Sequence, residues 1–348
     1  MLLFNVLFAA GLIVSYLSVY ISPIILWWPA FLGLCFPFLI IFNVFFVLFW
    51  GFRRSLLLLL SGVLLLIGLS YFNRYFKAFP SHTNHKGIVV CSYNVKNFNG
   101  LDPRIGQREN RLNIEIWMHQ NHPDIVCLQE IDSSSIHKFI PFEGKAYSTN
   151  TPTLPNTYLK TKTGNLIIYS KYPILRSGKL SFEDSPNMII YADLKINQDT
   201  VRIYNCHLQS YMFATKDVRA FNSLWPGSQK RLLKNYQKLK YIFQKTFIER
   251  AYQADVLRKH MNDCPYSMLV CGDFNDTPVS YTYRAVKGTL KDSFVESGQG
   301  IGYTFPGHLF SFRIDYIMHS SAYSAFNFKI GHITYSDHYP ILCRLVKK

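Results

Sequence analysis

Eight polar residues of this chain stand where apolar runs end, and their types together suit the hydrolysis of a phosphate ester. Asn94 ends VVCSYN, Glu130 follows IVCLQ, and His207 ends VRIYNCH. Asp273 and Asn275 lie in MLVCGDFN, Asp315 in FRIDYIM, and Asp337 and His338 are paired in YSDHYP. Such a hydrolysis needs a hard cation to neutralise the phosphoryl oxygens, and Mg²⁺ favours one or two carboxylates plus waters. Glu130 and Asp337, with the Asn94 amide oxygen, suit that part. Asp273 suits a base that activates or orients a water. His207, Asn275 and His338 can donate to the charge that develops on phosphorus. A histidine that works as a cation needs a carboxylate beside it, and Asp315 is a candidate partner for His338. Taken singly, each signal has an ordinary explanation. Glu130 could be a solvated strand end, His207 a structural histidine, GDFN a turn with a helix cap, and Asp337-His338 a capping pair.

Residues of this kind converge only if a rigid scaffold holds them at one rim. Short apolar runs predict strands over 88–94, 125–129, 165–170, 188–196, 201–208, 267–273, 312–319, 326–333 and 340–346. Amphipathic stretches predict helices over 107–121, 230–262 and 279–287. Strands that outnumber helices, with helices between some of them, predict an α/β or α+β sandwich. No internal repeat or low-complexity segment is visible.

The ordered set YNV, LQE, NCHL, GDFN, RIDYI and SDHYPI resembles the endonuclease/exonuclease/phosphatase superfamily, over about residues 87–346. The resemblance implies a four-layer α/β/β/α sandwich with the site at one edge. It implies metal ligation by Asn94, Glu130 and Asp337, with Mg²⁺ as the cofactor and Mn²⁺ as its alternative. It implies that Asp273 orients the attacking water and that Asn275 and His207 hold the scissile phosphate. His338, paired with Asp315, would stabilise the transition state. No residue of the motif set is missing, which favours an active enzyme over a non-catalytic polyanion receptor.

The first 80 residues are a different polymer. They contain no Asp or Glu and four basic residues, Arg53, Arg54, Arg74 and Lys77. Apolar runs at 2–20, 24–50 and 55–72 all qualify for the roughly 20 residues that cross a bilayer, the third at the short end. None shows a polar face, and Trp27, Trp28 and Trp50 stand near run ends, as in an interfacial belt. About three transmembrane helices over 1–72 are therefore expected, then a polar linker at 73–86 and a catalytic domain at 87–348. The first run could instead be a signal peptide, although it lacks a basic leader and a clear cleavage site. The layout resembles bacterial membrane-anchored members of the superfamily. The Gly51–Arg54 turn is the natural cytoplasmic loop and puts the domain on the extracytoplasmic side of the cell membrane, while Arg74, Lys77 and Lys86 argue the other way.

The formal charge is +16, and four of those positive charges precede residue 81, leaving +12 beyond it. That balance favours anionic partners, either nucleic acid or lipid headgroups. A nuclease-like activity and a phospholipid or phosphoinositide-type activity at the membrane surface both follow. Residues 229–259 carry Lys230, Arg231, Lys234, Lys238, Lys240, Lys245, Arg250, Arg258 and Lys259 among Leu, Tyr, Ile and Phe. They predict a surface helix whose basic face is solvated or meets headgroups or a polyanion. Phe213, Phe221 and Trp225 before it could add an interfacial anchor. Five of the seven cysteines sit inside apolar runs and read as buried thiols, with no metal-type spacing. No protein partner is inferable.

Overall fold

In the computed structural model the described residues are 1–132, 139, 147–148, 166–183, 185, 187–211, 229–307 and 311–348. Phe213, Phe221 and Trp225, the expected interfacial anchor, lie outside them. The chain forms two compact units. One comprises Met1–Leu69, Gln209–Asp255 and Val279–Ala285, and the other Ser70–Leu208, Val256–Pro278 and Val286–Lys348.

The second unit is built on two six-stranded sheets. Its strands are β1 (Ile88–Asn94), β2 (Ile125–Gln129), β3 (Tyr147–Ser148), β4 (Leu166–Ser170), β5 (Ile174–Ser181) and β6 (Met188–Ile196). They continue with β7 (Asp199–His207), β8 (Ser267–Asp273), β9 (Lys291–Asp292), β10 (Asp315–His319), β11 (Tyr323–Ile330) and β12 (Ile341–Lys347). One sheet has the order β11-β12-β1-β2-β4-β3 and the other β9-β10-β8-β7-β6-β5. Their inner faces share one core, with Val90, Ile125, Cys127 and Ile168 packed with Ile190, Ile203, Leu269, Cys271 and Ile317. The first sheet's outer face is covered by the helix Gln107–Asn121 through Ile114, Trp117 and Met118. Against the second lies the C-terminal turn of the helix Gln229–Asn262, where His260 bonds the Tyr204 hydroxyl at 3.0 Å. These are the four layers.

Each sheet places one parallel pair in its middle, β1 beside β2 and β7 beside β8. Parallel neighbours end at the same rim, so Asn94 and Glu130 emerge together, as do His207 and Asp273, which are register partners. Antiparallel β10 begins at that rim, and Asp315 pairs with Asp273. Gly272 makes the second pairing possible. Its φ is +132°, and a Cβ there would lie 2.0 Å from the Cys206 carbonyl oxygen. No other residue type fits that close approach.

Strand 174–181 was not legible in the sequence. It is an edge strand with mostly part-exposed side chains, so it lacks an apolar run. The strand expected at 326–333 runs from Tyr323 to Ile330 instead, with a register shift between Phe326 and Lys329. The expected run 312–319 divides, because Arg313 leaves the sheet for a buried ion pair with Asp292 at 2.5 Å. Residues in the polar stretch 73–86 bond along the sandwich: Arg74 to the Pro278 carbonyl, Ser81 to the Glu296 carbonyl and the Thr83 amide to Asn327. Cys91, Cys127, Cys206, Cys271 and Cys343 are free and buried, as expected.

In the first unit the apolar runs form shorter helices than the three spans expected. They are Leu2–Ser18, Trp28–Leu34, Phe36–Phe52 and Leu58–Ile67, followed by Leu69–Phe72 in the third run. Among the described residues no single helix is long and apolar enough to cross a membrane. The second run bends by 66° between Leu34 and Phe36, where Pro37 opens the next helix and removes an amide donor. The third run breaks at Gly68. At about 1.5 Å per residue, the 17-residue first helix reaches only about 26 Å.

These helices do have a polar face, and it points inward. Asn5, Asn43 and Ser61 are fully buried. Trp50 Nε1 donates to Asn5 Oδ1 at 2.9 Å, Asn5 Nδ2 to Ser61 Oγ at 2.6 Å, and Ser61 Oγ to Asn43 Oδ1 at 2.7 Å. Leu3, Ile41, Leu56 and Leu66 face outward instead. The helix Gln229–Asn262 packs Phe243 against Phe31 at 5.2 Å within this unit. Arg250, expected on its basic face, is fully buried and donates from Nε to the Gln209 carbonyl at 2.8 Å. Its guanidinium stacks over Tyr211 at 4.7 Å, which offsets part of the lost hydration. Exposed Lys238, Tyr241, Lys245, Tyr252 and Lys259 run along the same helix at heptad-like spacing.

Candidate active site

The eight residues meet at the rim of the sandwich. Asn94 joins the two sheets there, its Nδ2 donating to Glu130 Oε1 at 3.0 Å and to Asp273 Oδ2 at 3.1 Å. A second link lies beneath it. Gln129 Nε2 donates to Asn205 Oδ1 at 2.7 Å, and Asn205 Nδ2 donates to the Leu128 and Ile167 carbonyls. Asn94, Asp273, Gln129 and Asn205 are all buried, so the network fixes how the sheets register at the rim.

Asp273 is buried beside three potential donors besides Asn94. Asn275 caps it, the backbone N–H donating to Oδ1 at 2.8 Å. Asn275 adopts φ +52° to do so, while its Nδ2 also reaches the Leu208 carbonyl at 2.9 Å. His338 Nε2 lies 3.7 Å and His207 Nε2 3.9 Å from Asp273 Oδ2. Burial pushes the Asp273 carboxyl up to about 6, with Asp315 adding to the rise and the two histidines opposing it. The group is therefore poised to take up or release a proton near neutrality.

His338 behaves in the opposite way. Burial pulls it down, but Asp315, Asp273 and Asp337 more than offset that and hold it at about 10. Its Nδ1 lies 2.9 Å from Asp315 Oδ2, and that oxygen also accepts from Thr304 Oγ1 at 2.6 Å. The imidazole is thus an oriented cation with Nε2 aimed into the site. His207 Nε2 lies 3.5 Å from Glu130 Oε1, and neither of its buried ring nitrogens has a hydrogen-bond partner among the described residues. A buried donor left open at a rim of carboxylates is a place for an oxygen-rich ligand.

Two sets of side chains are candidates for a cation. Asp273, Asp315 and His338 bring ligand atoms within 4.8 Å of one another. Protonated His338, with Nδ1 committed to Asp315, has no lone pair to give, so proton handling suits that trio better than ligation. Asn94, Glu130 and Asp337 supply oxygen donors only, which suits a hard divalent ion. The place accepts positive charge, since Lys96 Nζ sits 2.5 Å from Asp337 Oδ2. Of the three, Asn94 turns its nitrogen toward Glu130, and its Oδ1 accepts the Lys96 N–H at 3.1 Å.

Backbone strain collects here as well. Lys96, Asn97 and Phe98 all have positive φ, as does Glu130. Non-glycine residues in that region cost on the order of 1–2 kcal/mol each. The turn is held by the Asn97 N–H on the Glu130 carbonyl at 2.6 Å and by buried Phe98. Sequence reasoning missed Lys96, Gln129, Asn205 and Thr304. Gln129 and Asn205 carried a signal, being polar within apolar runs. Thr304 carried none, because it meets Asp315 only through the fold.

The fold and rim define a two-sheet phosphoesterase scaffold. Residues 91–338 match the family model described as the Endonuclease/Exonuclease/phosphatase family, and the chain belongs to that family. Family members are metal-dependent hydrolases of phosphate esters, and the chain is an enzyme of this class. Residues 1–75 match a second model, a domain of unknown function (DUF8431). Solved structures share the fold. Humanised D. rerio TDP2 is 14% identical over 75% of this chain and 99% of its own, with a TM-score of 0.52. A Bacteroides thetaiotaomicron mannosyl-6-phosphatase is 18% identical over 74% and 99%, at 0.51. A Bacteroides vulgatus endonuclease/exonuclease/phosphatase is 16% identical over 76% and 100%, also at 0.51. No curated protein matches the chain.

Proposed function

We propose that the chain is a Mg²⁺-dependent phosphoesterase whose apolar unit is held in a lipid bilayer, with nuclease-like action on an anionic phosphodiester. The observation that carries the catalytic half is the opposite tuning of Asp273 and His338, 3.7 Å apart. One is a base near neutrality, the other an acid kept charged. In this reading Asn94, Glu130 and Asp337 hold Mg²⁺, or Mn²⁺ in its place. The ion supplies charge neutralisation at the phosphoryl oxygens when bound. Asp273 accepts a proton from the attacking water. Asn275 and His207 hold the phosphate, and His338, fixed by Asp315, faces the developing negative charge.

The inverted bundle supports the membrane half. Buried Asn5, Asn43 and Ser61 with outward Leu, Ile and Phe suit a lipid solvent, where polar groups must be satisfied between helices. The Arg53-Arg54 turn then faces the cytoplasm, leaving the catalytic unit extracytoplasmic. The exposed Lys and Tyr along 238–259 favour a second reading, action on phospholipid or phosphoinositide headgroups.

The full chain in detergent, with Mg²⁺, is assayed against plasmid DNA, RNA, anionic vesicles and soluble phosphomonoesters. Asp273→Ala and His338→Ala should each lose at least about 10²-fold in rate. Cleavage of vesicles but not DNA replaces the nuclease reading with the lipid one. Near-wild-type rates in both variants would end the role assignments. A reporter after Lys348 that is active only in the cytoplasm should stay dark.

A further inference from the structure

One charged side chain at the rim has no part in the chemistry above. Lys96 follows the Asn94 strand end by two residues, in the left-handed turn Lys96–Phe98. That turn touches all three residues assigned to the metal. The Lys96 N–H donates to Asn94 Oδ1 at 3.1 Å, the Asn97 N–H donates to the Glu130 carbonyl at 2.6 Å, and Lys96 Nζ lies 2.5 Å from Asp337 Oδ2. Ser336 Oγ, one residue before Asp337, ties back to the Asn94 carbonyl at 2.7 Å. The backbone of the turn is anchored by buried Phe98, whose carbonyl accepts from Asn110 Nδ2 at 3.0 Å. The Lys96 side chain is nearly half exposed, at 47%. It can therefore leave Asp337 at little steric cost, while the turn keeps its tether fixed.

We propose that Lys96 contests Asp337 with the divalent ion and so sets the metal concentration at which the site fills. The inference rests on the metal reading of Asp337. An ammonium and a hard cation seek the same carboxylate oxygen, and a positive charge held nearby repels a second one. Both effects weaken metal binding. The strained turn holds the competitor in reach instead of leaving it to a freely moving surface side chain.

The test reads metal affinity directly. Mn²⁺ is titrated into the full chain in detergent and followed by its electron paramagnetic resonance signal. Wild type is compared with Lys96→Gln, Lys96→Arg and Asp337→Asn. Lys96→Gln should bind Mn²⁺ about fivefold more tightly at low ionic strength, the ratio an exposed ion pair of ordinary strength supports. The gap should shrink as KCl is raised. Lys96→Arg keeps the charge and should stay close to wild type. Asp337→Asn should bind more weakly. If Asp337→Asn binds more weakly but Lys96→Gln equals or falls below wild type, the competition is refuted and the metal site stands. If Asp337→Asn binds as wild type does, the metal reading and the competition fall together. Thermal melts in chelator check that each variant is folded.

Discussion

Asp315→Asn should move the alkaline limb of the pH–rate profile while leaving the fold in place. Asp315 is 1% exposed, and its Oδ2 accepts from both His338 Nδ1 and Thr304 Oγ1. The asparagine oxygen can keep one or both contacts, so shape is retained and charge is lost. His338 is raised from 6.5 to about 10, against a burial effect that pulls the other way. At about 1.4 kcal/mol per pH unit, that rise is about 5 kcal/mol in favour of the imidazolium. Asp315 is the largest of the charges that raise it. A close opposite charge is worth about 1–3 pH units, so its removal should bring the limb down by at least about one. At pH 7 the imidazolium survives a fall of that size, so the rate loss should grow with pH and be largest between about pH 8 and about pH 10. The assay is hydrolysis of the preferred substrate from pH 5 to 11 at saturating Mg²⁺, with circular dichroism at each end. A variant that keeps the wild-type profile would refute the claim that Asp315 holds His338 as a cation.

Four other outcomes follow from the structure. The acid limb belongs to Asp273, raised from 3.8 to about 6, so activity should climb as pH rises through about 6, and Asp273→Asn should abolish that limb. The stability signs differ from those of a usual acid. An acid with a raised folded value loses its contribution as pH rises from about 4 to about 6, while His338 contributes fully below about 6.5 and loses it as pH climbs through about 10; urea melts across pH 4–11 test both. Gly272→Ala puts a Cβ 2.0 Å from the Cys206 carbonyl at φ +132° and should cost at least about 3 kcal/mol in urea unfolding. Asn43→Leu in the apolar unit removes the acceptor of the Ser61 hydroxyl, which keeps only its Asn5 donor, and should cost about 1–3 kcal/mol in detergent melts, and an unchanged melt would show that the polar chain is dispensable.

Much of the sandwich was legible because burial writes itself into strand composition. Residues 88–94, 125–129, 188–196 and 267–273 were expected as strands and are strands to the residue, since each is a short apolar run inside a two-sheet core. The 174–181 edge strand escaped because it has a strand neighbour on one side only among the described residues and its side chains are exposed or part-exposed. The apolar unit escaped in another way. Its composition gave the right amount of hydrophobic surface, but the inward face of Asn5, Asn43 and Ser61 depends on which helices meet.

By itself the sequence determined which side chains are the candidates for the chemistry. Asn94, Glu130, His207, Asp273, Asn275, Asp315, Asp337 and His338 stand at ends of runs that must be strands, in an order that marks one family. Only the tertiary structure decided what state those groups are in. Asp273 and His338 depart from their intrinsic acidities here because of their neighbours. Asp273 is buried against Asp315, and His338 is ringed by three carboxylates. Lys96 reaches Asp337 across 241 residues of chain. Such shifts arise from through-space charge and desolvation over a few ångströms, and no spacing along the chain encodes them.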